Sequence, residues 1–172
     1  MTAETFKIEV LPMKNRLFRF ALRLLANVME AEDAVQEVML RLWDKRESLG
    51  KVRNREAFAM TMIRNFCLDR MKSKGYNNKQ PNQLEYTPSN DPNPMRDLEN
   101  KDSFALIRQI IAGLPGQQRM VIHLRDIEGY DFEEISEILG VGMNAIRANL
   151  SRARKKVRDQ LSKSYDYEYR EN

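Results

Sequence analysis

DFEEISEILGVGMNAIRANLSRARKKVRDQL, residues 131–161, reads as a short amphipathic helix, a glycine-bounded turn and a second helix that is basic along its length. The first helix, 132–139, stops at Gly140. The turn is Val141, Gly142 and Met143, and the second helix runs from Asn144 to about Leu161. Between Leu139 and Arg158 there is no Asp or Glu, whereas Arg147, Arg152, Arg154, Lys155, Lys156 and Arg158 all fall there. At about 100° per residue, Ile146, Leu150, Ala153 and Val157 form one apolar stripe for the first helix to cover. The opposite face presents Asn144, Arg147, Ala148, Ser151, Arg152 and Lys155. A helix, a tight turn and a cationic second helix form the arrangement that sets a recognition helix into the major groove of duplex DNA. Small and polar residues in its first turns, Asn144, Ala145 and Ala148 among them, can approach base edges, while the later cations can hold phosphates. A merely solvated basic helix would show the charge but would have no need of the turn or of an acidic partner helix.

The rest of the chain is helical in pattern too. Leu17, Phe20, Ala21, Leu24 and Val28 recur at helical spacing, and so do Phe58, Met62 and Phe66, with Ile63 beside them. Strand-type alternation is absent, so the spacing predicts an all-α protein. A helix over 31–47 has Val35, Val38, Met39 and Leu42 as its core stripe. Its other face carries Asp33, Glu37, Leu40 and Asp44, with Gln36 and Arg41 at the edges; Trp43, beside it, is expected in the core. Acidic residues near the start of this helix suit its dipole. A leucine inside an acidic face is unusual for plain solvated surface and suits docking on a basic protein partner, and on these residues alone a charged surface helix with one stray leucine accounts for it about equally well.

Between these helical regions, residues 75–100 hold four of the chain's six prolines, many asparagines and little that could build a core. This segment is expected to be a linker without regular structure. Fully extended it could reach about 85 Å, at roughly 3.3 Å per residue. The expected organisation is therefore two small helical domains, 6–74 and 101–163, joined by a flexible linker, 75–100, and followed by a frayed tail, 164–172.

Composition bounds the function. There are 29 Lys plus Arg against 25 Asp plus Glu, a net charge of only +4, so the positive charge is localised rather than spread. That fits one polyanionic partner alongside others. Cys67 is the only cysteine and His123 the only histidine, so neither a disulfide nor a zinc site can be built, and His123 is expected simply to pack within the last domain. There is no glycine-rich phosphate loop, and the adjacent Glu133 and Glu134 point in different directions on a helix. No apolar run approaches the roughly 20 residues of a membrane span, and the N-terminus lacks a signal-peptide core. The expectation is a soluble cytoplasmic protein, not an enzyme, with no cofactor, no metal and no membrane insertion.

Several words along the chain, taken in order, resemble one family. They are AEDAVQEV (31–38), RLW (41–43) and IRNFCLDR (63–70), then LPGQQR (114–119), LRDIEG (124–129), EISEILG (134–140) and LSRAR (150–154). With a linker between the third and fourth, they resemble the extracytoplasmic-function group of the bacterial sigma-70 family of RNA polymerase sigma factors, from about Leu11 to Leu161. The resemblance implies a dissociable promoter-recognition subunit without catalysis of its own. The helix bearing Asp33, Gln36, Glu37 and Leu40 would bind the clamp coiled coil of the largest subunit of core polymerase. Residues 50–70 would read and help melt the −10 promoter element, with Lys51, Arg53 and Arg55 in the loop and Arg64 and Asn65 on the helix behind it. The last domain would read the −35 element through Asn144, Ala145, Arg147, Ala148, Ser151 and Arg152, hold phosphates through Arg154, Lys155 and Lys156, and touch the flap of the second-largest subunit. An anti-sigma protein is a further partner open to such a chain. Phe58 stands where many relatives carry Trp, Ala59 where Leu is common, and Ala148 and Asn149 where a Ser-Arg pair is frequent. The alternative is a free-standing helix-turn-helix repressor or activator, which would have no use for an acidic docking helix.

Overall fold

The computed structural model describes residues 1–74 and 94–170, without the side chains of 94–102 and 167–170. Every regular element among them is helical. In chain order they are α1 (Ala3–Glu9), a 3-10 turn (Leu11–Met13), α2 (Lys14–Leu25), α3 (Val28–Asp44), α4 (Arg46–Leu49), α5 (Arg55–Ser73), α6 (Pro94–Ala112), α7 (Gly116–Ile122), a π-helical turn (His123–Ile127), α8 (Phe132–Leu139) and α9 (Met143–Arg170). The helices fall into two units: α1 to α5 with α8, and α6, α7, the π turn and α9.

In the first unit α2, α3 and α5 pack mutually, and α8 packs on α5. Leu17, Phe20 and Leu25 of α2, Leu42 of α3, and Met60 and Ile63 of α5 are fully buried. Burying a Leu or Phe side chain contributes roughly 1.5–3 kcal/mol, so these few residues hold the bundle against its chain entropy. Local chemistry sets the boundaries. Ala26 takes a left-handed conformation, φ 51°, and ends α2. Asn27 then caps α3 by accepting a hydrogen bond from the Glu30 N–H. The break moves Val28 out of the α2 stripe and starts α3 three residues before the expected Ala31. Asn54 caps α5 in the same way, through the Ala57 N–H.

The buried stripe of α5 is Ala57, Met60, Ile63 and Cys67. The expected stripe of Phe58, Met62 and Phe66 is only half-buried, although Ile63 lies in the core as expected. The small side chains of Ala57 and Ala59 let the neighbouring helices approach, which turns the larger rings outward. Trp43 also departs from expectation. It is 37% exposed, with one edge against Phe6 at 5.1 Å and the Arg46 guanidinium over its ring at 4.7 Å.

In the second unit α9 packs on α7 and α6, which bury Ile146, Leu150 and Ala153. The apolar stripe read from the sequence is thus the inward face of α9, with helices earlier in the chain covering it. His123 opens the π turn and is buried, its Nε2 3.5 Å from Glu128 Oε1. The turn closes with the Glu128 N–H donating to the His123 carbonyl at 3.0 Å. The extra residue per turn leaves Leu124 and Tyr130 inside and Asp126 outside.

Two expectations about unstructured chain are corrected. Of the expected linker, 75–93 lies outside the described residues, but 94–100 belongs to α6. Pro94 occupies the first helical position, where its fixed φ and missing N–H do no harm. The tail expected to fray from 164 continues α9 to Arg170. No Gly or Pro interrupts α9, and Asp159 and Lys163 stand four residues apart in the favourable order.

Candidate nucleic-acid and protein interface

Helix, turn and helix follow one another in the chain much as the sequence indicates. The first, α8, begins in a capping box: Asp131 accepts from the Glu134 N–H at 2.8 Å, and Glu134 accepts from the Asp131 N–H at 3.0 Å. It ends at Gly140, whose φ of 65° is left-handed. Ser136 Oγ then donates to the Val141 carbonyl at 2.7 Å and fixes the exit of the chain. The second, α9, starts one residue earlier than expected, at Met143. Asn144, Ala145, Arg147, Ser151, Arg152, Lys155 and Lys156 are exposed on it, and Ala148 is half-buried. These side chains therefore form an outward basic face backed by a buried stripe, a geometry that can meet a groove and the phosphates beside it.

Asn149 and Arg154 of that helix are held by neighbouring side chains. Asn149 donates to the Ala145 carbonyl at 2.9 Å and to Gln117 Oε1 at 3.2 Å. Arg154 is gripped by Asp126 of the π turn, with Nε to Oδ2 at 2.9 Å and Nη2 to Oδ1 at 2.6 Å. These hydrogen bonds push the Arg154 pKa up, partly offset by burial, with a smaller further rise from the Asp126 charge. Arg154 is thus placed otherwise than a cation free to meet a phosphate.

The loop before α5 splits similarly. Lys51 and Arg53 are exposed. Arg55, by contrast, donates to Glu9 Oε2 at 2.5 Å and to the Leu49 carbonyl at 3.2 Å, bracing the loop rather than projecting from it. Arg64 is half-buried and donates to Asn65 Oδ1 at 3.1 Å, which orients the exposed Asn65 amide. Asn65 lines a cleft of about 720 Å³ between α3 and α5 that also takes in Met62, Phe66, Arg41, Lys45 and Lys74. Arg41 lies over the Phe66 ring at 5.4 Å. An aromatic wall, an amide edge and a nearby cation are what an unstacked base with its phosphate requires, and here Arg41 and Lys74 are already paired with Glu37 and Glu30, and Asp69 also lines the cleft. Sequence reasoning missed Phe66 and Met62 as wall and Arg41, Lys45 and Lys74 as rim, because helical spacing marks Met62 and Phe66 as core.

The face of α3 is open. Asp33, Gln36 and Leu40 are exposed and Glu37 is half-buried, its carboxylate accepting from Arg41 Nε at 2.8 Å. Met29 and Leu40 are 76% and 61% exposed. Met29, Asp33, Gln36, Leu40 and Trp43 succeed one another at alternating steps of four and three residues, the spacing of a seam that packs on another helix. Met29 and Trp43 extend the expected docking face at both ends. Met29 was outside the helix as read from sequence, and only the Asn27 cap signals that it belongs. Among the described residues, no cluster of His, Cys, Asp and Glu could hold a metal ion. No helix among them is long and apolar enough to cross a membrane.

Comparison with known proteins places both regions. Residues 10–76 match the family Sigma-70 region 2, and residues 104–157 match Sigma-70, region 4. The ECF RNA polymerase sigma factor SigE of Mycolicibacterium smegmatis is 30% identical over 151 residues, covering 87% of this chain and 58% of that protein. The chain thus spans little more than half of that relative. The ECF RNA polymerase sigma factor SigL of Mycobacterium tuberculosis is 29% identical over 147 residues, covering 83% of this chain and 80% of SigL. Among solved structures, the sigma factor RpoE of Bartonella quintana, crystallised with the anti-sigma factor NepR, superposes with a TM-score of 0.76. It is 23% identical, and the match covers 93% of this chain and 98% of RpoE, so it speaks for the fold.

Proposed function

Because the chain belongs to the extracytoplasmic-function group of the bacterial sigma-70 family, we propose that it is an alternative sigma factor. In this reading it binds core RNA polymerase and directs it to a class of promoters, with no catalysis of its own and with the cytoplasm as its place of action. Its working parts are an N-terminal region, 6–74, and a C-terminal region that includes 101–163 and begins with α6; the two family matches, 10–76 and 104–157, support such a pair. Promoter DNA is one partner and core polymerase the other. The structural relative crystallised with an anti-sigma factor supports such an inhibitor as a third.

The observation that carries the proposal is the open seam of α3 in the same chain as a basic recognition helix. A free-standing repressor needs the second and has no use for the first. Asp33, Gln36, Glu37 and Leu40, with Met29 and Trp43 at the ends, dock on the clamp coiled coil of the largest subunit. Acidic residues around an apolar centre give that contact its register and its steering. Lys51, Arg53 and the Arg64–Asn65 pair act at the −10 element, where the α3–α5 cleft takes a base out of the stack; Arg55 sets the loop. Asn144, Ala145, Arg147, Ala148, Ser151 and Arg152 face the −35 element, Lys155 and Lys156 hold its phosphates, and the same domain touches the flap of the second-largest subunit.

Replacing Asp33 and Glu37 together with Lys should abolish co-purification with core polymerase. The helical circular-dichroism spectrum should be unchanged, because both side chains point outward. Retention at wild-type strength would remove α3 as the docking element.

A further inference from the structure

On the recognition helix, Arg154 is a cation that the structure takes out of play. At about 100° per residue, Lys155 stands nearly opposite the buried stripe of Ile146, Leu150 and Ala153, whereas Arg154 sits on its flank, beside the π turn. That turn carries Asp126 outward, and the Asp126 carboxylate meets the Arg154 guanidinium through two parallel hydrogen bonds of 2.9 and 2.6 Å. Bidentate pairing of this kind is the strongest geometry an arginine and a carboxylate can adopt. Among the described residues, Arg152, Lys155 and Lys156 have no carboxylate partner.

We propose that Asp126 is a specificity-determining residue that withholds Arg154 from DNA phosphates and so lowers sequence-independent affinity. This rests on the reading of α9 as the DNA-facing helix. The physical argument is counterion release. A free cation that meets a phosphate displaces a condensed counterion and steepens the salt dependence of binding by about 0.9. A cation already neutralised by a tethered carboxylate displaces none. The pair therefore removes one non-specific contact and leaves the base-reading side chains a larger share of the discrimination. The pair is half-exposed, so its worth to folding is small. Its effect is on what the helix can touch.

The test uses the full chain and a duplex without promoter sequence, with binding followed by fluorescence anisotropy across a potassium chloride series. Asp126→Asn should steepen the slope of log K against log salt by about 0.9 and tighten binding at low salt. Lys155→Ala should make the slope shallower by about the same amount. The double variant Asp126→Asn with Arg154→Ala should match the wild type. A double variant shallower than wild type would show Arg154 already on a phosphate and overturn the proposal. A double variant still steeper than wild type would show Asp126 acting by repulsion alone, and would overturn it too. If Lys155→Ala leaves the slope unchanged, α9 is not the phosphate-facing helix, and the proposal falls together with the reading beneath it.

Discussion

At Cys67 burial is the main influence on the chemistry of the side chain. It lies in the core stripe of α5, and burial pushes its thiol pKa from 9.0 up to about 12, against a smaller opposing influence from the Arg70 charge. The native protein should therefore resist a thiol reagent at pH 8 and react promptly once unfolded in urea. Between pH 9 and about 12 the unfolded chain releases the thiol proton while the folded chain keeps it. Stability must then fall as pH rises through that window, by up to roughly 1.4 kcal/mol per pH unit. Urea midpoints at pH 8 and pH 10 should show this fall, and Cys67→Ala should flatten it; an equal fall in the variant would contradict the assignment. Residue types were legible in the sequence, but their partners were not. Nothing in the local pattern places Glu9 beside Arg55 or Asp126 beside Arg154, because those contacts join helices distant in the chain. A cation in a basic run therefore reads as available until the fold supplies its carboxylate.

At the scale of elements, helix ends were readable wherever a cap marks them. The limits of α8 follow from Asp131 and Gly140, and the structure places both there. The start of α3 was missed because its signal, Asn27, sits outside the acidic run that drew the reading to Ala31. The π turn was not legible, since an i to i+5 hydrogen bond leaves no periodic signature of its own. The half-exposure of Phe58, Met62 and Phe66 was missed for a related reason: spacing gives a stripe, but neighbouring alanines decide which stripe faces inward. The cap at Gly140 gives a test of the turn. Its φ is 65°, and nothing lies within 4 Å of where a Cβ would stand. Gly140→Ala should therefore cost only the backbone conformation, about 1–2 kcal/mol. Thermal unfolding followed by circular dichroism would check this, and an unchanged or raised midpoint would mean that the left-handed cap is not required.

For the whole molecule, the proposed function gives one chain two jobs: the exposed seam of α3 docks on polymerase and the basic face of α9 reads DNA. The all-helical class and the two regions were legible because each carries its own amphipathic period, and the composition shift around the four prolines separates them. The extent of the connecting segment was less so, since polar helix formers such as Arg96, Glu99 and Lys101 look alike in a linker and at the start of α6. The family match shows the family; on the proposed function, promoter preference would turn on side chains such as Ala148 and Asn149, where this chain departs from the common pattern. The most direct test is transcription of a fragmented genomic library by core RNA polymerase, with and without the full chain. Addition of the protein should produce a new set of transcripts whose upstream regions share a −35 and a −10 element, and Asp33→Lys with Glu37→Lys should abolish the set. Tight binding of the chain alone to duplex sites, with no new start sites when core polymerase is supplied, would contradict the account and establish the free-standing regulator instead.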